Sequence, residues 1–197
     1  MSVHLNHFSC RLIMMSLTVA LLTSSIIARQ SKDRVIRIIP LPNEPLKITV
    51  IKVRGVQIEP GKEFQEEDDW LRGLTFSITS VSDKPICFID VALYFPRAGN
   101  NGASSVRDAL MFSCKPVNSD TSKPLKPGKS MDMVVTDNDY VAQEALLMRN
   151  GYPKTINSLE IGVYEVVFEG EEDTKWVKGQ MMRRDPDHPG DWLPMKP

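Results

Sequence analysis

The stretch Leu74-Thr75-Phe76-Ser77-Ile78-Thr79 decides the fold class of this chain. Apolar and polar side chains alternate strictly along it, and a period of two places each set on one face of a β-strand. Threonine, isoleucine and phenylalanine also suit a pleated, half-buried surface. The stretch therefore predicts a strand with one face toward a hydrophobic core and the other toward water.

A turn and a second strand follow directly. Ser82-Asp83-Lys84-Pro85 combines turn-forming residues, and the run from Ile86 to Phe95 then resumes as a strand. Its odd positions form the more apolar face: Cys87, Ile89, Val91, Leu93 and Phe95. We therefore predict a hairpin in which Cys87 points inward and Asp90 lies on the opposite face.

The strand that precedes Leu74 alternates irregularly. Its apolar residues have even numbers up to Val50 and odd numbers from Ile51, and the phase slips again at Gly55. A change of phase without a turn indicates a β-bulge or a strand that crosses between sheets.

The remaining apolar runs are short and are separated by proline, glycine and asparagine. They predict strands over about residues 109–114, 131–135, 159–168 and 175–182. Many short strands favour a β-sandwich over alternating β-α units. The fold class predicted is mostly β, with a tether and first short strand over 29–45, a sandwich over 46–182 and a proline-rich strap over 183–197.

One short helix is predicted over about residues 137–150. Thr136 or Asp137 can cap its start, and Arg149 followed by Gly151 fits its end. We expect its apolar side to be formed by Tyr140, Val141, Ala145, Leu147 and Met148.

Two segments resemble immunoglobulin-like and fibronectin-like domains of secreted bacterial proteins. One is the hairpin from Leu74 to Phe95, and the other is Leu125-Lys126-Pro127-Gly128-Lys129-Ser130 before the strand at Met131. The resemblance implies an Ig-like antiparallel β-sandwich with the helix as an insertion, and a binding or structural role. No tryptophan lies between Cys87 and Cys114, which distinguishes the chain from antibody-type domains.

Residues 1–28 have the organisation of a secretory signal peptide. Arg11 is their only lysine or arginine, and the uncharged stretch from Leu12 to Ala28 ends in small residues. We expect cleavage after Ala28 and a secreted or periplasmic protein. The alternative is a retained N-terminal membrane anchor, although such a stretch is at the lower limit for crossing about 30 Å of hydrocarbon.

The net charge of the chain does not indicate a nucleic-acid partner. The chain has 24 lysine and arginine residues against 25 aspartate and glutamate residues, a net charge of −1. Nucleic-acid binding usually requires a basic excess on one face.

Two cysteines, Cys87 and Cys114, follow the predicted signal peptide. An even number in an oxidising compartment predicts a disulfide between them. The alternative is a pair of buried free thiols, since free cysteine packs well as a small hydrophobic residue.

Catalytic motifs are missing from the sequence. His188 is the single histidine after the signal peptide, and it lies in a segment of prolines and glycine that is poorly suited to hold a general base. Gly-x-Ser-x-Gly and phosphate-loop patterns do not occur. We therefore expect no enzyme activity and no cofactor.

Acidic groups support an alternative function, a calcium-dependent carbohydrate-binding module or a hydrolase. Asp137 and Asp139 match the first two ligand positions of an EF-hand loop, but Val141 and Ala142 stand where a third ligand and the glycine belong. Their competing role is to cap the predicted helix. The acidic groups at 66–69, 171–173 and 185–191 are expected to be solvated charges.

The C-terminal region supplies the candidate interaction residues. Trp176, Arg183, Arg184 and Trp192 are of the two residue types that dominate interface hot spots. The competing interpretation, which we favour, is that Trp192 folds back to cover a sheet edge. The predicted function is a secreted or periplasmic, non-catalytic Ig-like domain whose partner is an envelope or extracellular protein.

Overall fold

The computed structural model describes residues 31–96, 110–114, 123–153 and 155–195, and for residues 110–114 it describes the backbone. Ser31–Pro197 form one compact unit. The predicted signal peptide lies outside the described residues. Among the described residues, no helix is both long enough and apolar enough to cross a membrane.

The described chain is mostly β, with two sheets and one helix, as the sequence predicts. In chain order the elements are β1 (Lys32–Ile38), β2 (Leu46–Val53), β3 (Val56–Ile58), β4 (Glu63–Glu66), β5 (Leu74–Ser80), β6 (Ile86–Phe95), β7 (Leu110–Cys114), β8 (Ser130–Val134), α1 (Asp137–Arg149), β9 (Ser158–Phe168), β10 (Thr174–Val177), β11 (Gln180–Arg184) and β12 (Trp192–Pro194).

The larger sheet is built around β9. On one side β9 pairs antiparallel with β6, which in turn pairs with β7. On the other side, the first half of β9 pairs with β1 and its second half with β10. β1 continues to β4, while β10 continues to β11 and β12. The β1–β9 pair is parallel, so the prediction of an antiparallel arrangement is wrong at this position.

The smaller sheet has the antiparallel order β3-β2-β5-β8. Phe76 and Ile78 of β5 belong to the same hydrophobic cluster as Leu93 of β6 and Ile161 of β9. The two sheets therefore share one core, and the burial of its apolar side chains is the main term that holds them together.

The irregular alternation in β2 is explained by a bulge. The register of β2 against β5 shifts between Ile48 and Val50, as the change of phase predicts. The second slip has a different cause, because Arg54 and Gly55 form a tight turn with φ values of 49° and 82°. Two successive positive φ angles are typical of the two-residue turn that joins antiparallel strands.

Cys87 does not point into the core, which corrects the prediction for β6. The register against β9 shifts between Ile86 and Phe88 and again between Asp90 and Val91. These bulges break the alternation on which the prediction rested, and Cys87 is exposed.

The predicted disulfide between Cys87 and Cys114 is not formed, since Cys87 is free. The β6–β7 register places Cys114 opposite Val91. Val91 lies four residues along β6 from Cys87, about 13 Å of strand. A disulfide requires the two Cα atoms to be within about 7 Å.

The segment predicted as a tether and first short strand contains β1, which begins at Lys32 and is part of the larger sheet. Arg34 and Ile36 of β1 are buried, and β1 pairs with both β4 and β9. The domain boundary predicted at residue 46 therefore falls inside the compact unit that starts at Ser31.

The strand predicted over residues 175–182 is a hairpin. Lys178 and Gly179 turn the chain between β10 and β11 with φ values of 47° and 93°. A Cβ atom on Gly179 would lie 2.9 Å from Cδ of Pro42, so this position requires glycine for close packing as well as for its backbone angle.

Helix α1 begins and ends as predicted, but its buried face differs. The Thr136 side chain accepts a hydrogen bond from the Asp139 N–H, and the Asp139 side chain in turn accepts one from the Thr136 N–H, which forms a capping box. The buried residues are Gln143 and Leu147. Val141 and Met148, predicted on the apolar side, are 56% and 61% exposed.

Candidate functional site

A pocket opens beside α1, and we call it the helix pocket. Its walls include Tyr140, Gln143 and Leu147 of α1, Asp68 and Leu71 from the segment after β4, and Ile156 before β9. It encloses a cavity volume of about 20 Å³, which is space for about one water molecule or one methyl-sized group.

Gln143 is the unusual residue of the helix pocket. Its side chain is 1% exposed, and within the described residues neither Nε2 nor Oε1 has a hydrogen-bond partner. Burying an amide without hydrogen bonds costs on the order of 1–3 kcal/mol. Such a cost needs an explanation, and an amide in the wall of an open pocket is placed to be satisfied by something that enters it.

The floor of the pocket is fixed by hydrogen bonds to a single carbonyl. The Ile156 carbonyl oxygen accepts from Trp70 Nε1 at 2.8 Å and from Arg34 Nη1 at 2.9 Å. Trp70 and Arg34 are both buried. The Arg34 guanidinium also donates to Asn157 Oδ1 and to the Glu67 carbonyl. Arg34 therefore ties β1 to the two segments that line the pocket.

Asp68 lies at the rim and is held by three donors. Its Oδ1 is 2.8 Å from Arg34 Nη2, 3.1 Å from Lys32 Nζ and 3.2 Å from Thr155 Oγ1. The hydrogen bonds from Lys32 and Arg34 lower the pKa of the Asp68 carboxyl. Asp68 is therefore an ionised, well-positioned acceptor at neutral pH.

Tyr140 forms another part of the wall. Its ring lies under the Arg72 guanidinium, 5.0 Å from Cζ to the ring centroid, a cation–π distance. Burial raises the pKa of the Tyr140 hydroxyl, and the Glu144 and Asp69 carboxylates raise it further. The hydroxyl stays protonated at neutral pH and can both donate and accept a hydrogen bond.

The predicted calcium ligands have structural roles. Asp139 Oδ2 accepts from the Thr136 backbone N–H at 3.1 Å and from the Thr136 hydroxyl at 2.7 Å. Asp137 Oδ1 lies 3.1 Å from Arg72 Nε. In the part of the chain that the structure describes, no group of three or more histidine, cysteine, aspartate or glutamate side chains could hold a metal ion.

Three of the four candidate interaction residues, Arg183, Arg184 and Trp192, lie together on the paired strands β11 and β12, which we call the C-terminal hairpin. Trp176 lies on β10. Trp192 is half-buried, with Lys175 Nζ 4.2 Å and Arg184 Cζ 5.2 Å from its ring. Arg183 is exposed on the neighbouring strand. Trp176 is 1% exposed and belongs to the core, so its prediction as a surface contact is wrong.

The predicted strap is the edge of the larger sheet. β12 pairs with β11, and the Met195 N–H donates to the Met181 carbonyl at 2.8 Å. Pro194 removes one donor from the edge strand, which limits pairing with other chains. β12 thus lies along the edge of β11, and Trp192 is half-buried on it.

We expect truncation after Met182 to lower the free energy of unfolding by about 2–3 kcal/mol. The truncation removes β12, the contacts of Trp192 and the 3.1 Å ion pair between Arg184 and Asp173. Urea denaturation of the truncated chain measures the loss, and a chain that ends at Met195 is the control. An unchanged denaturation midpoint would show that the hairpin is an arm for a partner and not a cover.

Comparison with protein-family models, with curated proteins and with solved structures finds no match for this chain. The functional interpretation therefore depends on the geometry of its own residues.

The helix pocket is not among the sites predicted from the sequence. Tyr140, Gln143 and Leu147 are spaced three and four residues apart, which places them on one helix face, and this spacing is a signal that could identify Gln143. Of the residues predicted on the apolar side of the helix, Tyr140 and Leu147 line the pocket, whereas Val141 is exposed away from it.

Proposed function

We propose that this chain is an exported, non-catalytic domain of Ig-like β-sandwich type that binds an envelope or extracellular protein through the helix pocket. The observation that carries the proposal is the buried amide of Gln143, which has no hydrogen-bond partner in the part of the chain that the structure describes. We attribute the retention of this amide in the wall of a pocket to binding.

The surroundings of Gln143 support binding rather than catalysis. A general acid or base works best with a pKa near neutrality, whereas the pKa of Asp68 is lowered by Lys32 and Arg34. The hydrogen bonds of Arg34 hold the floor in place before any ligand arrives, and a preformed site reduces the entropic cost of binding.

The exposed side of α1 extends this surface. Met148 is 61% exposed and also lines the pocket, and Val141 is 56% exposed on the same helix. Apolar side chains around a small number of polar groups are the usual lining of a small recognition site. The export of the domain is inferred from residues 1–28, and its Ig-like type from the shared core of two sheets with one helix.

Replacing Gln143 tests whether the amide is retained for function. We expect Gln143→Leu to raise the free energy of unfolding by up to about 1 kcal/mol, because the unsatisfied donor and acceptor are removed. Gln57 on β3 is exposed, so Gln57→Leu is a matched control that we expect to change stability by less than about 0.5 kcal/mol. Denaturant titration measures both.

Site-specific photo-crosslinking in the expressing cells tests the binding role itself. A crosslinking amino acid at Met148 should capture one envelope or extracellular protein, and the same group at Val56, which is 66% exposed on β3, should not. Gln143→Leu should abolish the product at Met148 without loss of stability. Equal products at both positions, or a destabilised Gln143→Leu protein, would contradict the proposal.

A further inference from the structure

The chemistry of the helix pocket restricts what it can bind. Gln143 has a donor atom, Nε2, and an acceptor atom, Oε1, and among the described residues both are buried and unpaired. A ligand that bonds to only one of these atoms leaves the other buried without a hydrogen bond, which reduces the free energy of binding. A complementary ligand therefore carries an N–H and a C=O side by side.

The charges at the rim exclude the simplest charged ligands. Asp68 and Glu144 both line the pocket, so a carboxylate or phosphate would meet like charge. A cation would find Asp68 already paired with Lys32 and Arg34, and it could satisfy Oε1 of Gln143 but not Nε2. A neutral group is favoured over both.

The apolar walls add a second requirement. Leu71, Leu147 and Ile156 line the cavity and are buried, and the cavity volume is about 20 Å³. A ligand gains from placing one small apolar group against them. Larger apolar groups do not fit inside the cavity without movement of its walls.

We propose that the helix pocket binds an extended segment of a partner protein by the N–H and the C=O of one of its residues, which lie on the same edge of an extended chain. The N–H of that residue donates to Oε1 of Gln143, and Nε2 of Gln143 donates to its C=O. The small side chain of that residue packs against Leu147 and Ile156. The inference rests on the proposed binding function and names the chemistry of its ligand.

The test uses N-acetyl-alanine methylamide as the probe, because its single alanine carries an N–H, a C=O and one methyl side chain. The probe is titrated into the isotope-labelled domain, and the side-chain NH₂ resonances of Gln143 are followed by NMR. Acetate and methylammonium are titrated separately as charged controls. Gln143→Leu and Gln143→Met both remove the amide, one with a branched and one with an unbranched apolar side chain. Gln57→Leu is the matched control.

We expect saturable shifts of the Gln143 NH₂ resonances with the peptide probe alone. Both Gln143 variants should weaken the binding about tenfold or more, since two hydrogen bonds are lost, while Gln57→Leu should leave it unchanged. A saturable response to methylammonium or acetate that equals the response to the probe would overturn the proposal. So would a pocket that holds only a long-lived water and does not respond to the probe.

The experiments distinguish an error in the ligand class from an error in the binding function of the helix pocket. If the Met148 crosslink depends on Gln143 but the peptide probe does not bind, the binding function stands and the ligand class is wrong. If the crosslink at Met148 is also independent of Gln143, the assignment of function to the helix pocket is wrong.

Discussion

Replacement of Arg34 by methionine is expected to lower the free energy of unfolding by about 3 kcal/mol. The guanidinium is buried and donates to Asp68 Oδ1 at 2.8 Å, to the Ile156 carbonyl at 2.9 Å and to the Glu67 carbonyl at 3.2 Å. Methionine has a similar apolar length but donates to none of them.

The size of the expected stability loss depends on which partners of Arg34 keep another hydrogen bond in the Arg34→Met domain. Asp68 is half-exposed and keeps its ion pair with Lys32, so no charge becomes buried and unpaired. The Ile156 carbonyl keeps its bond from Trp70. The cost is therefore that of the lost hydrogen bonds from a buried charged donor, each worth about 1.5–3 kcal/mol, reduced by what is regained when the buried charge itself is removed.

Urea denaturation of the Arg34→Met domain measures this loss. Arg37 on the same strand is exposed, so Arg37→Met is the matched control and should change stability by less than about 0.5 kcal/mol. Arg34→Lys should recover only part of the loss, since one ammonium group cannot reproduce the planar fork of the guanidinium. Equal stabilities for Arg34→Met and Arg37→Met would refute the assigned role.

The strands were predictable because their information is local. β5 alternates apolar and polar residues over its whole length, and its observed burial alternates in the same way. The capping box of α1 is likewise contained in four consecutive residues, from Thr136 to Asp139. Such features depend on neighbouring residues and form largely independently of contacts with distant parts of the chain.

The features that the sequence does not predict correctly depend on residues far away in the sequence. The orientation of Cys87 depends on bulges between β6 and β9, which shift the register without a local signal. β4 (Glu63–Glu66) has a polar sequence and was missed, because it is a strand only through its pairing with β1. Arg34 is buried through contacts with residues 67–68 and 156–157, and no local pattern predicts them.

The candidate site shows the same limit. Gln143 lies on a helix that the sequence predicts correctly, but the pocket beside it is formed by Leu71 and Ile156, which come from other parts of the chain. Periodicity can indicate which helix face is buried. It cannot show that a buried amide is left without a hydrogen-bond partner, since that depends on every element packed around it.

Replacement of Trp176 by alanine is expected to cost about 4 kcal/mol of unfolding free energy, the largest effect predicted for a single residue of this domain. Trp176 is 1% exposed and belongs to the core cluster, opposite Val166 of β9 and Met181 of β11. The alanine side chain buries much less surface than tryptophan and leaves a cavity between β9, β10 and β11. The C-terminal hairpin is attached to the rest of the sheet through these strands.

The two tryptophans of the C-terminal region should therefore behave differently. Trp192→Ala removes a half-buried ring and its contacts with Lys175 and Arg184, for which we expect a loss of about 1–2 kcal/mol. Trp176→Phe should cost less than Trp176→Ala, because it retains most of the ring and removes a buried Nε1 that has no partner. Chemical denaturation of the three variants ranks them. A greater loss for Trp192→Ala than for Trp176→Ala would mean that the hairpin is anchored by its edge, and that the placement of Trp176 in the core is wrong.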